Sequence, residues 1–182
     1  MVDDGAVTDL LDVELFGPAF LRHSKISCRS FTLNSLPDKM GLTMTVESHV
    51  VRLATQKEGE ILDITDKVQT IVENGTISNG VVFLFVPGST AALTTIEYKP
   101  GLLVDLPSML ERIAPRDGSY MHESRWHDGN GHSHLRASLI GPDLSVPFEE
   151  KKLMLGTWQQ IVFIEFDVRP RDRTIIVHSM GE

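Results

Sequence analysis

Four of the seven histidines, His122, His127, His132 and His134, fall within thirteen positions of the chain. Imidazole near neutral pH is a metal ligand or a proton carrier, so this density is the first candidate for chemistry. The stretch "GNGHSHLRASLIGP" (129–142) sets His132 and His134 between glycines and a run that reads as a β-strand. On a strand, residues two apart share a face. Both rings could then reach one ion at about 2.0–2.1 Å, with His122 or His127 from the preceding loop as a third ligand. Imidazole suits zinc and related divalent ions. Phosphate or proton handling by the same rings is a second role, and a solvated polar loop entering a strand is the reading without chemistry.

The stretch "VPGSTAALTTIE" (86–97) is the second candidate. Gly88 permits close approach to the backbone, and Ser89 and Thr90 set hydroxyls beside N–H groups, as in a phosphate or carboxylate cradle. The same Pro-Gly-Ser sequence is also ordinary turn chemistry. Glu97 ends the apolar run as a candidate base or metal ligand, or as a solvated strand end. In "GTWQQIVFIEFD" (156–167), Gln159 and Gln160 point to opposite faces, so one of them faces inward and needs a partner that a ligand could supply. Trp158 is expected in the core. Arg169, Arg171 and Arg173 surround Pro170 in what reads as a solvated hairpin tip.

The whole chain bounds these readings. Its 182 residues, 41% hydrophobic, suffice for one domain with a proper core. A formal charge of -8 leaves no basic surplus for a nucleic-acid backbone, although one local pocket can still bind a small phosphorylated molecule. No apolar run approaches the roughly 20 residues of a membrane span, and the opening Met1-Val2-Asp3-Asp4 is acidic where a signal peptide is basic. The single cysteine, Cys28, cannot form an internal disulfide and fits a reducing cytoplasm.

The elements that must position the candidates begin near Met44. Residues 1–43 have Gly17-Pro18 and Leu36-Pro37 breaks and no sustained period, so they are expected to be a poorly ordered extension before a single domain at 44–182. "TMTVESHVVRLAT" alternates as a strand, and "ILDITDKVQTIVENG" reads as a helix with Thr65 as N-cap and Gly75 as stop. "GVVFLFVP" has the continuous apolar character of a strand buried on both faces. "PGLLVDLPSMLERIAP" is an amphipathic helix that Pro107 must kink or restart. "SHLRASLIG", "LSVPF", "KKLMLG", "TWQQIVFIEFDV" and "RTIIVHSM" complete the strands. The expected fold is α+β: an antiparallel, β-sandwich-like core of two sheets face to face, with two helices on one side.

In this order, "GHSHLRASLIGP", "VPF", "LMLGTWQQIVFIEFD" and the closing "GE" resemble the YjbQ-like family, the secondary thiamine-phosphate synthase family, from about Met44 to Glu182. The Gly156-Thr157-Trp158-Gln159 signature is the most specific part. The resemblance implies a homotrimer and transfer chemistry that joins a pyrimidine pyrophosphate to a thiazole phosphate with loss of pyrophosphate. The family's His-x-His run matches His132, His134, Arg136, Ala137 and Ser138; its Tyr-x-His matches Tyr120 and His122, and its strand-end Glu matches Glu97. Many members carry a His-Thr-Ser-Ala turn where this chain has Gly88-Ser89-Thr90-Ala91, so one histidine is missing, for which His127 could substitute. The resulting expectation is a divalent metal, zinc or magnesium, on His122, His132 and His134. Gly88, Ser89, Thr90 and Arg136 would bind substrate, and Glu97 and Gln159 would act in catalysis. The other readings of the same groups are a metal-dependent phosphoesterase and a non-catalytic trimeric ligand-binding protein.

Overall fold

The computed structural model describes residues 44–182, so the extension expected over 1–43, with Cys28, lies outside the described residues. The elements are β1 (Thr45–Ala54), β2 (Ile61–Asp63), α1 (Thr65–Asn74), β3 (Gly80–Phe85), β4 (Ala91–Ile96), α2 (Leu102–Ile113), α3 (Glu123–Trp126), α4 (Gly131–Ile140), β5 (Asp143–Glu149), β6 (Lys152–Leu153), β7 (Gln160–Glu165) and β8 (Asp172–Gly181). They build an α+β fold with two sheets, a five-stranded one in the order β1-β8-β3-β5-β6 and a three-stranded one in the order β2-β7-β4. Every strand pairing is antiparallel.

The two sheets share one core. Val51, Val82, Leu84, Val146, Ile175 and Val177 of the larger sheet meet Leu93, Ile161 and Phe163 of the smaller, with Val68 and Val72 of α1 among them. On the other face of the smaller sheet, Leu110 of α2 and Ala137 of α4 pack against Ala92, Val162 and Ile164. Strand β7 is therefore covered on both faces, and Ile161 through Glu165 are all buried. This explains the uninterrupted apolar run "IVFI", since alternation is lost when both faces of a strand are dry.

Several local expectations change. The strand buried on both faces is β7 and not β3: Val82 and Leu84 of β3 are buried, whereas Val81 is 38% exposed and Phe83 and Phe85 are half-buried. Helix α1 begins at Thr65, and its N-cap residue, Ile64, makes no side-chain cap. Asp63 serves that end instead, accepting the Thr65 N–H at 2.9 Å and its hydroxyl at 2.6 Å. Gly75 does stop the helix, donating its N–H to Ile71 and Val72 carbonyls. Helix α2 runs through Pro107 as a single element. Trp158 is 62% exposed, so it is no core residue. Four helices replace the expected two, because residues 131–140 form α4 and α3 adds one short turn before it.

Phe163 has no exposed surface at the centre of the shared core. Phe163→Ala should destabilise the fold by about 3–5 kcal/mol, read as a lower urea midpoint at unchanged slope.

Candidate functional site

The histidine pair sits on a helix, and this changes its geometry. Gly131, His132, Ser133, Arg136 and Ala137 are buried while Leu135, Ser138 and Leu139 are exposed, a period of three to four. That burial pattern suits a helix, and no β-branched residue precedes Ile140 to favour a strand. Gly141, at φ +104°, ends it in a conformation that glycine adopts most readily. Positions two apart on a helix do not face the same way. His132 and His134 therefore diverge and cannot hold one ion by a shared strand face.

His134 turns toward His122, and the two rings lie 4.7 Å apart, centroid to centroid. His122, Glu123 and Asp128 each offer one ligand atom, all within 4.8 Å of one another. His122 Nδ1 stands 3.4 Å from Asp128 Oδ1 and 3.7 Å from Glu123 Oε1. Ligand atoms about 2.0–2.2 Å from a tetrahedral ion stand about 3.3–3.6 Å from each other. Both His122 Nδ1 and Asp128 Oδ1 are buried and make no hydrogen bond, so each lacks the partner that a buried polar atom requires. A divalent cation fits that need. A cavity of about 290 Å³ adjoins the cluster, lined by Tyr120, Met121, His122, Gly131, His134 and Leu135.

Glu123 also holds this loop in place. Its carboxylate accepts the Gly129 N–H at 2.7 Å and the Gly131 N–H at 2.8 Å, capping the start of α4. These two N–H groups, that of Gly131 first, hold the carboxyl below the ordinary glutamate value. His127 is exposed at the left-handed end of α3, with φ 53°.

His132 faces the other way and is 1% exposed. Its Nε2 lies 2.7 Å from Glu58 Oε1. Ser133 Oγ approaches the same Nε2 at 3.5 Å, so serine, histidine and glutamate do not form a relay through two ring nitrogens. Arg136, expected at substrate, is buried and caps α2: its Nε and Nη2 donate to the Ala114 carbonyl at 3.0 and 2.8 Å. It also pairs with Glu111 and reaches Glu58 at 3.5 Å. The Arg116 backbone N–H and then the Arg136 guanidinium hold the Glu111 carboxyl below its usual range.

The remaining candidates lie at two ends of β4. Gly88 and Ser89 are exposed, but Thr90 is buried, and its hydroxyl donates to Asp167 Oδ2 at 3.1 Å and accepts Arg173 Nη2 at 2.9 Å. Glu97 lies beyond the other end, exposed, as is Gln159. Gln159 Oε1 accepts the Gly156 N–H at 2.8 Å and its amide donates to Thr95 Oγ1 at 3.4 Å, so its side chain closes its own turn. Gln160 is the inward one, accepting the Tyr98 N–H at 2.9 Å. The seven steps from Thr90 to Glu97 span about 20 Å along an extended strand. One chain thus separates the glycine turn from Glu97 and Gln159.

A family model described as "UPF0047 protein YjbQ-like" matches residues 49–182. The chain belongs to the YjbQ/UPF0047 family. Among curated relatives, a UPF0047 protein of Archaeoglobus fulgidus is 42% identical over 128 residues, which cover 70% of this chain and 97% of the relative. One from Methanothermobacter thermautotrophicus is 40% identical over 144 residues, covering 79% of this chain and 99% of its own. A solved YbjQ-like protein of unknown function from Sulfolobus solfataricus superposes with TM-score 0.73 at 36% identity, covering 77% of this chain and all (100%) of the other.

In this YjbQ/UPF0047 chain, sequence reasoning missed Glu123, Asp128 and Glu58 as companions of the histidines. The signal for Asp128 was its place in "HDGNGH", where a carboxylate sits between histidines; Glu58, 74 positions from His132, left none. It also missed that Arg173 is no solvated tip residue: its side chain is 10% exposed and clamped to Glu165. Beside it, burial pushes the Asp167 carboxyl up, but Arg171, the Arg169 N–H and Thr90 together outweigh this and hold it below the ordinary aspartate value. No helix among the described residues is long and apolar enough to cross a membrane.

Because folded Asp167 holds its proton more weakly than the unfolded chain, its contribution is present above about pH 4 and is lost as pH falls through the depressed folded value. Asp167→Asn should therefore lower Tm at pH 7, with the gap to wild type narrowing as acid is approached. Thermal melts from pH 7 to 3 check this, and a gap independent of pH would reject the linkage.

Proposed function

We propose that the chain is a metal-assisted enzyme of the cytoplasm acting on a small phosphorylated substrate, with the divalent cation held by His122, Asp128 and Glu123 beside His134. The observation that carries this reading is the pair of buried, unbonded ligand atoms, His122 Nδ1 and Asp128 Oδ1, 3.4 Å apart. An imidazole ligand beside two carboxylates favours zinc over magnesium, which prefers oxygen ligands and retains waters. His132 is then a positioning residue: tied to Glu58, it fixes the turn of α4 that presents His134.

The reaction proposed is the one the family resemblance implies, C–N bond formation between a pyrimidine pyrophosphate and a thiazole phosphate with loss of pyrophosphate. A bound cation would supply Lewis-acid stabilisation of the negative charge on the leaving group. The cavity beside His122 and His134 would orient the substrate and exclude water. The turn at Gly88 and Ser89 would hold a phosphate by backbone N–H groups. Glu97 and Gln159 are too far along the sheet to meet that turn within one chain, so they would enter across a subunit boundary.

A homotrimer is part of the same proposal. Its support is the outer face of the larger sheet, where Val46 and Val50 are exposed and Val46 stands in register with Met180 and Val81. Apolar rows of this kind are usually covered by a partner.

Metal analysis on the untagged full chain should find about one divalent ion per chain. His122→Ala with Asp128→Asn should abolish it while circular dichroism stays unchanged, whereas His132→Ala should retain metal and lose stability. Full stoichiometry in the double variant would overturn the site. Turnover of phosphorylated heterocycles with release of pyrophosphate supports the transferase; reaction with water alone would make it a phosphoesterase, and binding without turnover a ligand-binding protein. Light scattering at micromolar concentration should give three times the chain mass, and a monomer mass would reject the assembly.

A further inference from the structure

The corner where β7, β8 and the start of β4 meet holds an arginine more committed than its hairpin position suggests. Arg173 is nine-tenths buried, with its Nε donating to Glu165 Oε2 at 2.7 Å and its Nη2 to Glu165 Oε1 and to Thr90 Oγ1 at 2.9 Å. Glu165 has no exposed surface, and Thr90 is fixed in turn by Asp167. The guanidinium plane is thus locked from one side. Its remaining nitrogen, Nη1, makes no hydrogen bond among the described residues and faces the turn at Gly88: a Cβ built there would stand 3.0 Å from it.

The turn matches that nitrogen. Gly88, at φ +143°, carries no side chain, and it and Ser89 are exposed. The N–H groups of Gly88 and Ser89 donate to no protein acceptor among the described residues. Nη1, the backbone N–H groups of Gly88 and Ser89 and the Ser89 hydroxyl thus belong to one exposed turn, where the missing side chain of Gly88 leaves the space beside Nη1 free. Convergent N–H donors with a planar guanidinium are the chemistry that recognises an oxyanion. The nearby charges balance, because Glu165 and Asp167 neutralise Arg173 and Arg171. Binding here would come from directed donors and not from a general positive field.

We propose that Arg173, locked by Glu165 and Thr90, is the cationic head of an oxyanion subsite completed by the Gly88–Ser89 turn, which takes a phosphate group of the substrate. This deepens the reading of a phosphorylated substrate and rests on it. It assigns Thr90 to holding the arginine and leaves the ligand to Ser89 and the backbone. It also gives the "solvated" arginine hairpin a binding role.

The test uses the full chain, with inorganic phosphate and pyrophosphate as probes, followed by calorimetry and by ¹H–¹⁵N NMR of the arginine side chains and backbone. Saturable shifts are expected at the Arg173 guanidinium and at the Ser89 N–H. Gly88→Ala places a methyl group against Nη1 and should weaken phosphate binding by about tenfold or more, leaving metal content at the His122 cluster unchanged. Arg173→Gln alone strands a buried carboxylate, so it is paired with Glu165→Gln, which keeps the pair neutral; this double variant should fold and lose the saturable binding. Wild-type phosphate affinity in either variant, or shifts confined to residues away from the turn, would overturn the subsite. If metal binds at His122 while phosphate leaves Arg173 untouched, the subsite fails and the metal reading stands. Phosphate on Arg173 in a chain that takes no metal gives the reverse.

Discussion

A carboxylate with no exposed surface joins the two sheets at one end. Glu165 closes β7 of the smaller sheet; Arg173 belongs to β8 and Thr55 follows β1, both in the larger one. Around Glu165 stand the Thr55 hydroxyl at 3.0 Å, the Asp167 N–H at 2.8 Å and the Arg173 Nε at 2.7 Å, with Arg173 Nη2 as a fourth donor. Taking a carboxylate out of water costs several kcal/mol, which is offset only when every lone pair is met. Here the required donors come from both sheets, so the corner fixes their relative placement more narrowly than apolar packing alone does. Removing one partner leaves a stranded charge, at a cost of about 3–5 kcal/mol.

The same bonds decide what the glycine turn presents. Thr90 accepts from Arg173 and donates to Asp167, so the residues after Gly88 enter β4 at a set angle. A comparable arrangement governs the histidines. The buried side of α4 is fastened by His132 to Glu58 and by Arg136 to the end of α2. With that side fixed, His134 is turned to His122, and Glu123 draws the loop before α4 against its first N–H groups. Buried polar networks hold a core in one arrangement, and both networks here lie directly behind exposed or partly exposed candidate groups, although Glu58 Oε2 in the second makes no hydrogen bond.

Much of the fold was legible because strands and helices carry their own period. The alternation in β1, the helical spacing in α2 and the apolar run of β7 each follow from which faces become dry. The run 131–140 misled because its exposed Leu135 and Leu139 are apolar, while buried His132, Ser133 and Arg136 are polar. Hydrophobicity therefore contradicted burial along that helix. The absence of β-branched residues before Ile140 was the local sign of helix, and it is a weak one. Trp158 failed for a related reason: a large apolar ring need not be inside when its turn lies beyond the end of a strand.

The sequence by itself determined the α+β class, the family and the histidines and glycine turn around which the candidate sites are built, because those depend on composition, period and local motif. Only the tertiary structure decided which of these residues meet. Whether His132 joins His134 or opposes it depends on 100° per residue against 180°, and whether Arg173 is solvated or clamped depends on Glu165 reaching it from another sheet. His132 and Glu58 are 74 positions apart, and Thr55 and Glu165 are 110 apart. Such pairings are made by the packing of sheets and helices around a shared core, and no local pattern of residues records them.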